Sequence, residues 1–349
     1  MNLLFSYISN SEYGDIKKFL KKLLMLSILI FVLDKALAFW ATQAVLHDTR
    51  AFGSLSLLYR GVIDHQIVLF GSSKTHVNID AESIEQQTSM TCHNLAIGNA
   101  SIDMCEFLFE EFLSKNRKPK IVFMEADFAQ LQGGLQFRSE LIAPFSNVSA
   151  NTAERLNPTL ANQLAFWFFR CKNFSAGEGI GALSRSMFRY AQDIFRGNES
   201  DDLTQQSGTA GYQDNHQWRD ANGSHLLAPL ERDMSKVLFR KEEGQNSHVS
   251  LQRQEIYLRM VELTKSEGIQ LVLYGPPLFG ELNKNLAQQV DQFFSRLAEQ
   301  NEHVHYWTFR EVPDLLADPN LWTDGVHMNW NGAEILTQKI VTKLETLRN

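Results

Sequence analysis

The sequence predicts an α/β fold: a five-stranded parallel sheet with helices on both faces. Three observations carry this. Five short apolar runs recur along the chain, the runs lack clean alternation, and helical patterns lie between them. A strand with one wet face alternates apolar and polar residues. Runs that stay apolar at nearly every position belong to a sheet covered on both sides. The five are QIVLF (Gln66–Phe70), CHNLAI (Cys92–Ile97), KIVFM (Lys120–Met124), QLVLY (Gln270–Tyr274) and HVHYWTF (His303–Phe309).

The helical segments follow the same logic. SIDMCEFLFEEFLSKN puts Ile102, Cys105, Phe109 and Phe112 on one face. LQRQEIYLRMVELTKSEG aligns Ile256, Met260 and Leu263 and stops at Gly268. LNKNLAQQVDQFFSRLAEQ precedes the fifth run, and NGAEILTQKIVTKLETL closes the chain. The third and fourth runs are separated by an insertion of about 126–249, far longer than a simple crossover. It begins with aromatic-rich helical patterns, LANQLAFWFFRCKNF and SRSMFRYAQDIF. A tract rich in Gly, Asn, Asp, Gln and Ser follows, from Arg196 to His225, and reads as a loop. An insertion after a strand end either shapes a binding site or only covers the core.

A chain of 349 residues suits one large α/β domain with additions, or two domains. The net charge of -7 gives no sign of a nucleic-acid-binding surface. Cys92, Cys105 and Cys171 show no metal-ligand or CxxC spacing, and allow at most one disulfide.

The N-terminus has its own character. Lys17, Lys18, Lys21 and Lys22 precede an apolar run from Leu23 to Leu33, then Asp34-Lys35, then a second apolar stretch to Leu46. The first run alone is too short to span a bilayer, which takes about 20 residues, but the two together suffice. The lysines would keep residues 1–16 in the cytoplasm, make 17–46 a transmembrane anchor, and export 47–349. A cleaved signal peptide is the rival reading, because Ala36-Leu37-Ala38 fits the small-x-small pattern. The return of apolar character beyond it favours the anchor, and both readings export the large domain. Asp34 within the span is either a contact for a membrane-embedded partner or a tolerated charge.

Ligands of parallel sheets bind beyond the carboxyl ends of the strands. There the chain places Gly71-Ser72-Ser73 directly after the first run. A serine at a strand-to-helix turn is held rigidly, and the N–H groups of the turn can face a developing oxyanion. It needs a base. Of ten histidines, His327 stands out: LWTDGVHMNWNGAEIL puts Asp324 three residues before it, between the fifth run and the last helix. That spacing lets the carboxylate hold one ring nitrogen while the other faces the serine. Asn329 or Asn331 can cap the last helix.

A serine turn after the first strand and an Asp-x-x-His near the end of the chain together resemble the SGNH hydrolase superfamily. The resemblance runs from about Gln66 to the end, apart from the insertion. It implies a three-layer, flavodoxin-like fold, with Ser73 as nucleophile, His327 as base and Asp324 as its orienting partner. It also implies an oxyanion donor after the second strand, at Gly98 or Asn99, and no metal or organic cofactor. The family's Gly-x-Asn-Asp after the third strand is missing; this chain reads MEADFAQL. In that departure it is similar to membrane-anchored SGNH-like proteins of polysaccharide O-acylation, of the alginate O-acetylation and lipoteichoic acid D-alanylation type. They share one N-terminal span, a GSS-type turn, a strand after KPK (here RKPKIVFMEAD), and a proline-rich turn after the fourth strand (here LYGPPL). The resemblance implies acyl transfer, acetyl foremost, to hydroxyls of an exported polysaccharide, with a multi-span membrane-bound O-acyltransferase as partner near Asp34. The alternatives are a secreted carbohydrate esterase and a non-catalytic scaffold.

Each site residue has a plainer reading. Ser73 could merely cap its helix, and Lys74 either touches an anionic or sugar substrate or is a solvated first-turn lysine. His76 is a rival base on the helix side. Glu125 and Asp127 either bind sugar hydroxyls or serve as a cap and a salt bridge. The FWFF aromatics read as packing, and Pro276-Pro277 as a rigid turn.

Overall fold

The computed structural model describes residues 10–47, 53–142, 145, 183–188, 190–192, 217–219, 225–227, 249–279 and 284–348. The LANQLAFWFFRCKNF pattern and Cys171 lie outside the described residues. The chain divides into two compact units: Gly53–Arg138 with Glu199–Asn349, and Met1–Phe52 with Ser139–Asn198.

The first of these contains the sheet. Strands β1 (Ile67–Phe70), β2 (Cys92–Asn94), β3 (Ile121–Glu125), β6 (Gln270–Gly275) and β7 (Val304–Thr308) are all parallel, in the order β2-β1-β3-β6-β7. All five expected runs are strands, and their order places β1 beside β3. The second strand is shorter than its run, ending at Asn94. The parallel ladder nevertheless continues, through Leu95 N–H to Leu69 O and Ile97 N–H to Gly71 O.

Both faces are covered, as runs without alternation require. Ile67, Leu69, Ile121, Phe123, Val272 and Tyr274 join a core with Ala81 and Ile84 of one helix and Leu336, Ile340 and Leu344 of the last. On the opposite face Phe70 meets Phe109 and Phe112 edge-on, at 5.5 and 6.2 Å between ring centroids. Tyr257 packs on Phe294 there at 4.8 Å. The helices of this unit are α2 (Ser54–Arg60), α3 (Ser73–Asn78), α4 (Ala81–Thr88), α5 (Ile102–Lys115), α6 (Phe128–Gln132), α8 (Leu251–Glu267), α9 (Lys284–Gln300), α10 (Pro313–Leu316) and α11 (Trp330–Arg348); α7 (Ser139–Ile142) belongs to the other unit. Ile102, Cys105, Phe109 and Phe112 are all buried, as their spacing predicts. On α8 the buried face centres on Tyr257, Val261 and Thr264, so Leu263 is only half-buried.

Between β3 and β6, part of the tract expected as a loop is strand. Ala126–Arg138 falls within the sheet unit. Within the polar tract two strands, β4 (Gln217–Arg219) and β5 (His225–Leu227), pair antiparallel, Trp218 opposite Leu226. β5 lies against α3 and α11. Cys92 and Cys105 are both buried.

In the other unit, α1 runs unbroken over Asn10–His47, 38 residues, or about 57 Å at the helical rise. It is long and apolar enough to cross a membrane, with a mean hydropathy of 2.1 in its most apolar window. Leu23–Leu26 and Ile28–Leu33 are exposed on every side. Ala38, inside the small-x-small pattern, is buried with Ala41, Ala44 and Val45 along one stripe of the continuous helix. His47 stacks on Tyr190. Asp34 pairs with Lys35 at 3.5 Å, and the Lys35 ammonium lies 5.1 Å from the centre of the Phe31 ring.

Candidate active site

β1 delivers the chain to the rim of the sheet, where Gly71 turns it. No other residue fits there. A Cβ on Gly71 would sit 2.2 Å from Thr75 Oγ1 and 2.7 Å from Glu125 Oε2. Ser72 is the N-cap of α3, its hydroxyl accepting the Lys74 N–H at 3.3 Å. Capping thus belongs to Ser72. Ser73 occupies the first helical position, half-buried between two deeply buried neighbours.

The loop after the 3₁₀ turn at Pro319–Leu321 brings the other partners. Asp324 Oδ1 accepts the N–H groups of Val326 and His327 at 2.8 and 2.7 Å, which closes the loop on its own aspartate. Thr323 N–H and the Thr323 hydroxyl both donate to His327 O. Asp324 Oδ2 lies 2.8 Å from His327 Nδ1, and His327 Nε2 lies 2.7 Å from Ser73 Oγ. An ionised carboxylate can only accept. Nδ1 therefore carries the ring proton, and the Nε2 lone pair accepts from the Ser73 hydroxyl. Burial alone would raise the Asp324 pKa. The hydrogen bond and charge of His327 and the two loop N–H groups outweigh burial and hold the carboxyl below its ordinary value.

Sequence reasoning missed what docks this loop. Asn78, fully buried at the end of α3, donates through Nδ2 to Val326 O at 3.1 Å and accepts Met328 N–H on Oδ1 at 2.8 Å. One side chain therefore ties the helix that carries Ser73 to the loop that carries His327. The only signal was an asparagine in the last turn of a short helix, where a free amide side chain can bond across to another segment. Two more contacts brace the loop. Phe279 N–H donates to Gly325 O just after the buried Pro276-Pro277 turn, and Asn329 Oδ1 caps α11 through Asn331 and Gly332 N–H.

The extended ladder from β2 brings Gly98 to the same rim, one residue beyond the Ile97–Gly71 bond. The space where a Gly98 Cβ would point is open. Asn99 is exposed with φ 62°, and its carbonyl accepts Gln136 N–H. Among the described residues, the N–H groups of Ser73 and Gly98 have no hydrogen-bond partner. Ser72, Lys74 and Thr75 N–H are all taken, by Glu125, Ser72 Oγ and Ser72 O.

Lys74 is not a solvated lysine. It is 5% exposed. Its ammonium pairs with Asp127, lies 3.9 Å from Glu125 Oε1, and sits 5.3 Å from the centre of the Phe128 ring. The reason is register. β1 pairs with β3 so that Phe70 faces Met124, which sets Glu125 beside Gly71 and draws the cation inward. Glu125 and Asp127 likewise serve the fold. Asp127 caps α6 through Gln130 N–H at 3.0 Å. Glu125 is fully buried and accepts from Ser72 N–H, the Ser72 hydroxyl and the Thr75 hydroxyl. Burial, with the Glu125 charge second, pushes the Cys105 thiol and the Tyr274 phenol well up, so both stay neutral beside it. His76 is half-buried on the same helix, and the imidazole bonded to Ser73 Oγ is that of His327.

No known family profile matches the chain, and no curated protein matches it. Among solved structures, a protein of Bacteroides fragilis provisionally designated an acylhydrolase is similar at 13% identity, covering 86% of this chain and 97% of its own, with a TM-score of 0.35. A likeness that weak carries no argument about chemistry, and the fold described here rests on the strand order and register.

Proposed function

We propose that this chain is a membrane-anchored acyl-transfer enzyme. Ser73 attacks an acyl donor while His327 Nε2 takes its proton, and Asp324 holds the imidazole in the required tautomer and stabilises the imidazolium that forms. The tetrahedral oxyanion is received by the N–H groups of Ser73 and Gly98. Collapse expels the donor's leaving group, which takes the proton back from His327, and leaves an ester on Ser73 Oγ. An acceptor hydroxyl then repeats the sequence in reverse: His327 deprotonates it, it attacks the ester carbonyl, and Ser73 leaves with the proton. The acyl group is acetyl, the acceptor an exported polysaccharide, and the donor a multi-span membrane-bound O-acyltransferase reached through the helix around Asp34. Lys17 to Lys22 hold the N-terminus in the cytoplasm and the sheet unit works outside. The reaction needs no metal or organic cofactor.

The observation that carries this reading is the unbroken hydrogen-bonded line Ser73 Oγ–His327 Nε2, Nδ1–Asp324 Oδ2. The chain supplies its members 254 and 3 residues apart in sequence. The test is acetate content of surface polysaccharide in cells expressing Ser73→Ala or His327→Ala. Both should lower acetylation to the level of a deletion strain. Unchanged acetylation in both would refute the proposal, and a rise on deletion would turn it into a deacetylase.

A further inference from the structure

The buried carboxylate of Glu125 lies directly behind the serine turn, and nothing in the proposed chemistry uses it. Every group that bonds it is a donor. Oε2 takes Ser72 N–H at 2.8 Å and the Thr75 hydroxyl at 2.8 Å; the Ser72 hydroxyl reaches Oε1 at 2.7 Å and Oε2 at 2.9 Å; Gln130 Nε2 reaches Oε1 at 3.4 Å. A carboxylate can accept at all these sites at once. A neutral amide has one acceptor oxygen and would bring two N–H groups that need acceptors of their own. Two buried acids stand near one buried ammonium, Lys74, which lies between Asp127 and Glu125.

The consequence runs one peptide further. With its N–H and hydroxyl both on Glu125, Ser72 cannot rotate. Its hydroxyl oxygen then takes Lys74 N–H and its carbonyl takes Thr75 and His76 N–H. Among the described residues this leaves the Ser73 backbone N–H without a hydrogen-bond partner, with the Ser73 hydroxyl turned to His327. We propose that Glu125, anchored by Lys74, is a positioning residue that sets both the Ser73 nucleophile and the Ser73 oxyanion donor. It touches no reacting atom. The inference rests on Ser73 being the acyl carrier.

The test uses the full-length protein in detergent, with the labelling rate of Ser73 by a fluorophosphonate and the steady-state hydrolysis of nitrophenyl acetate as readouts. Glu125→Gln should lower the labelling rate and kcat by about 10- to 100-fold, with KM nearly unchanged, because the site is displaced rather than removed. Glu125→Asp, which restores the charge, should recover part of the loss. A merely structural role would lower the melting temperature and the yield while the folded protein kept its native labelling rate, and that result overturns the inference. Should Glu125→Gln fail to fold, Thr75→Val removes one donor to the same carboxylate without a change in size. It should slow labelling by several-fold, and native rates in that variant would also overturn the inference. The two levels separate cleanly. Native protein that labels at Ser73 no faster than Ser73→Ala sinks the acyl-carrier reading and the inference with it. Native labelling matched by Glu125→Gln sinks the inference alone.

Discussion

The turns after β1 and β3 make an instructive pair. Both leave adjacent parallel strands at the same rim, both open a short helix, and both begin that helix with a side-chain cap, Ser72 in one and Asp127 in the other. Their polar groups nevertheless have opposite fates. In the first, Ser73 keeps a hydroxyl bonded only to the His327 imidazole, half open to solvent. In the second, both carboxylates are consumed by donors and by Lys74 and are shut off from water. A reactive group has to be held and yet left incompletely satisfied. On the reading proposed above, the neighbouring turn supplies the holding by being satisfied completely.

That contrast makes separable predictions. Ser73→Ala should abolish acyl transfer, by about 10,000-fold or more, with a melting temperature close to native. A large loss of stability would mean that Ser73 belongs to the supporting half. Lys74→Met should do the reverse in kind. It leaves Asp127 and Glu125 buried without their cation, and should destabilise the protein by about 3–5 kcal/mol in a denaturant titration. Little change there would show that the two acids are not held as a charged pair.

Gly71→Ala probes the point where the turns touch. The added methyl would meet Thr75 Oγ1 and Glu125 Oε2, and strain of that kind costs about 1–3 kcal/mol. Activity should fall along with stability. Asn78→Ala should lower kcat by about tenfold, since the histidine loop loses its tie to α3 while the triad itself stays intact; a change confined to KM would argue against that assignment.

The smallest effect concerns acid. The Asp324 carboxyl is held below its ordinary value, so its ionised form is favoured in the folded chain. The stability this contributes is complete above the unfolded value, about pH 4, and is lost as pH falls through the folded one. Asp324→Asn cannot ionise, so its stability should decline less steeply than native below about pH 4. Equal slopes would show that the loop does not depend on that charge.

Much of this was legible before any coordinates. The five strands and the buried face of α5 follow from local patterns, and the Ser73–His327–Asp324 constellation was suggested by the serine turn and the Asp-x-x-His spacing. The less legible parts have a common cause. Lys74 looked solvated because a lysine in a first helical turn usually is, and only the proximity of Glu125 and Asp127, about 50 residues on, draws it inside. The antiparallel pairing of β4 with β5 was hidden because a polar tract without alternation carries no period to read.

Composition and spacing by themselves determined that a parallel sheet forms, that α1 is apolar over a membrane-spanning length, that a serine follows the first strand, and that an Asp-x-x-His pair precedes the last helix. These properties are set by neighbours within a few residues. Tertiary structure alone decided which serine caps and which faces the imidazole, and where the MEAD carboxylates turn. Those choices follow from the β1–β3 register, which seats Glu125 against Gly71 across 54 residues of chain, and no local pattern encodes a register between strands so far apart.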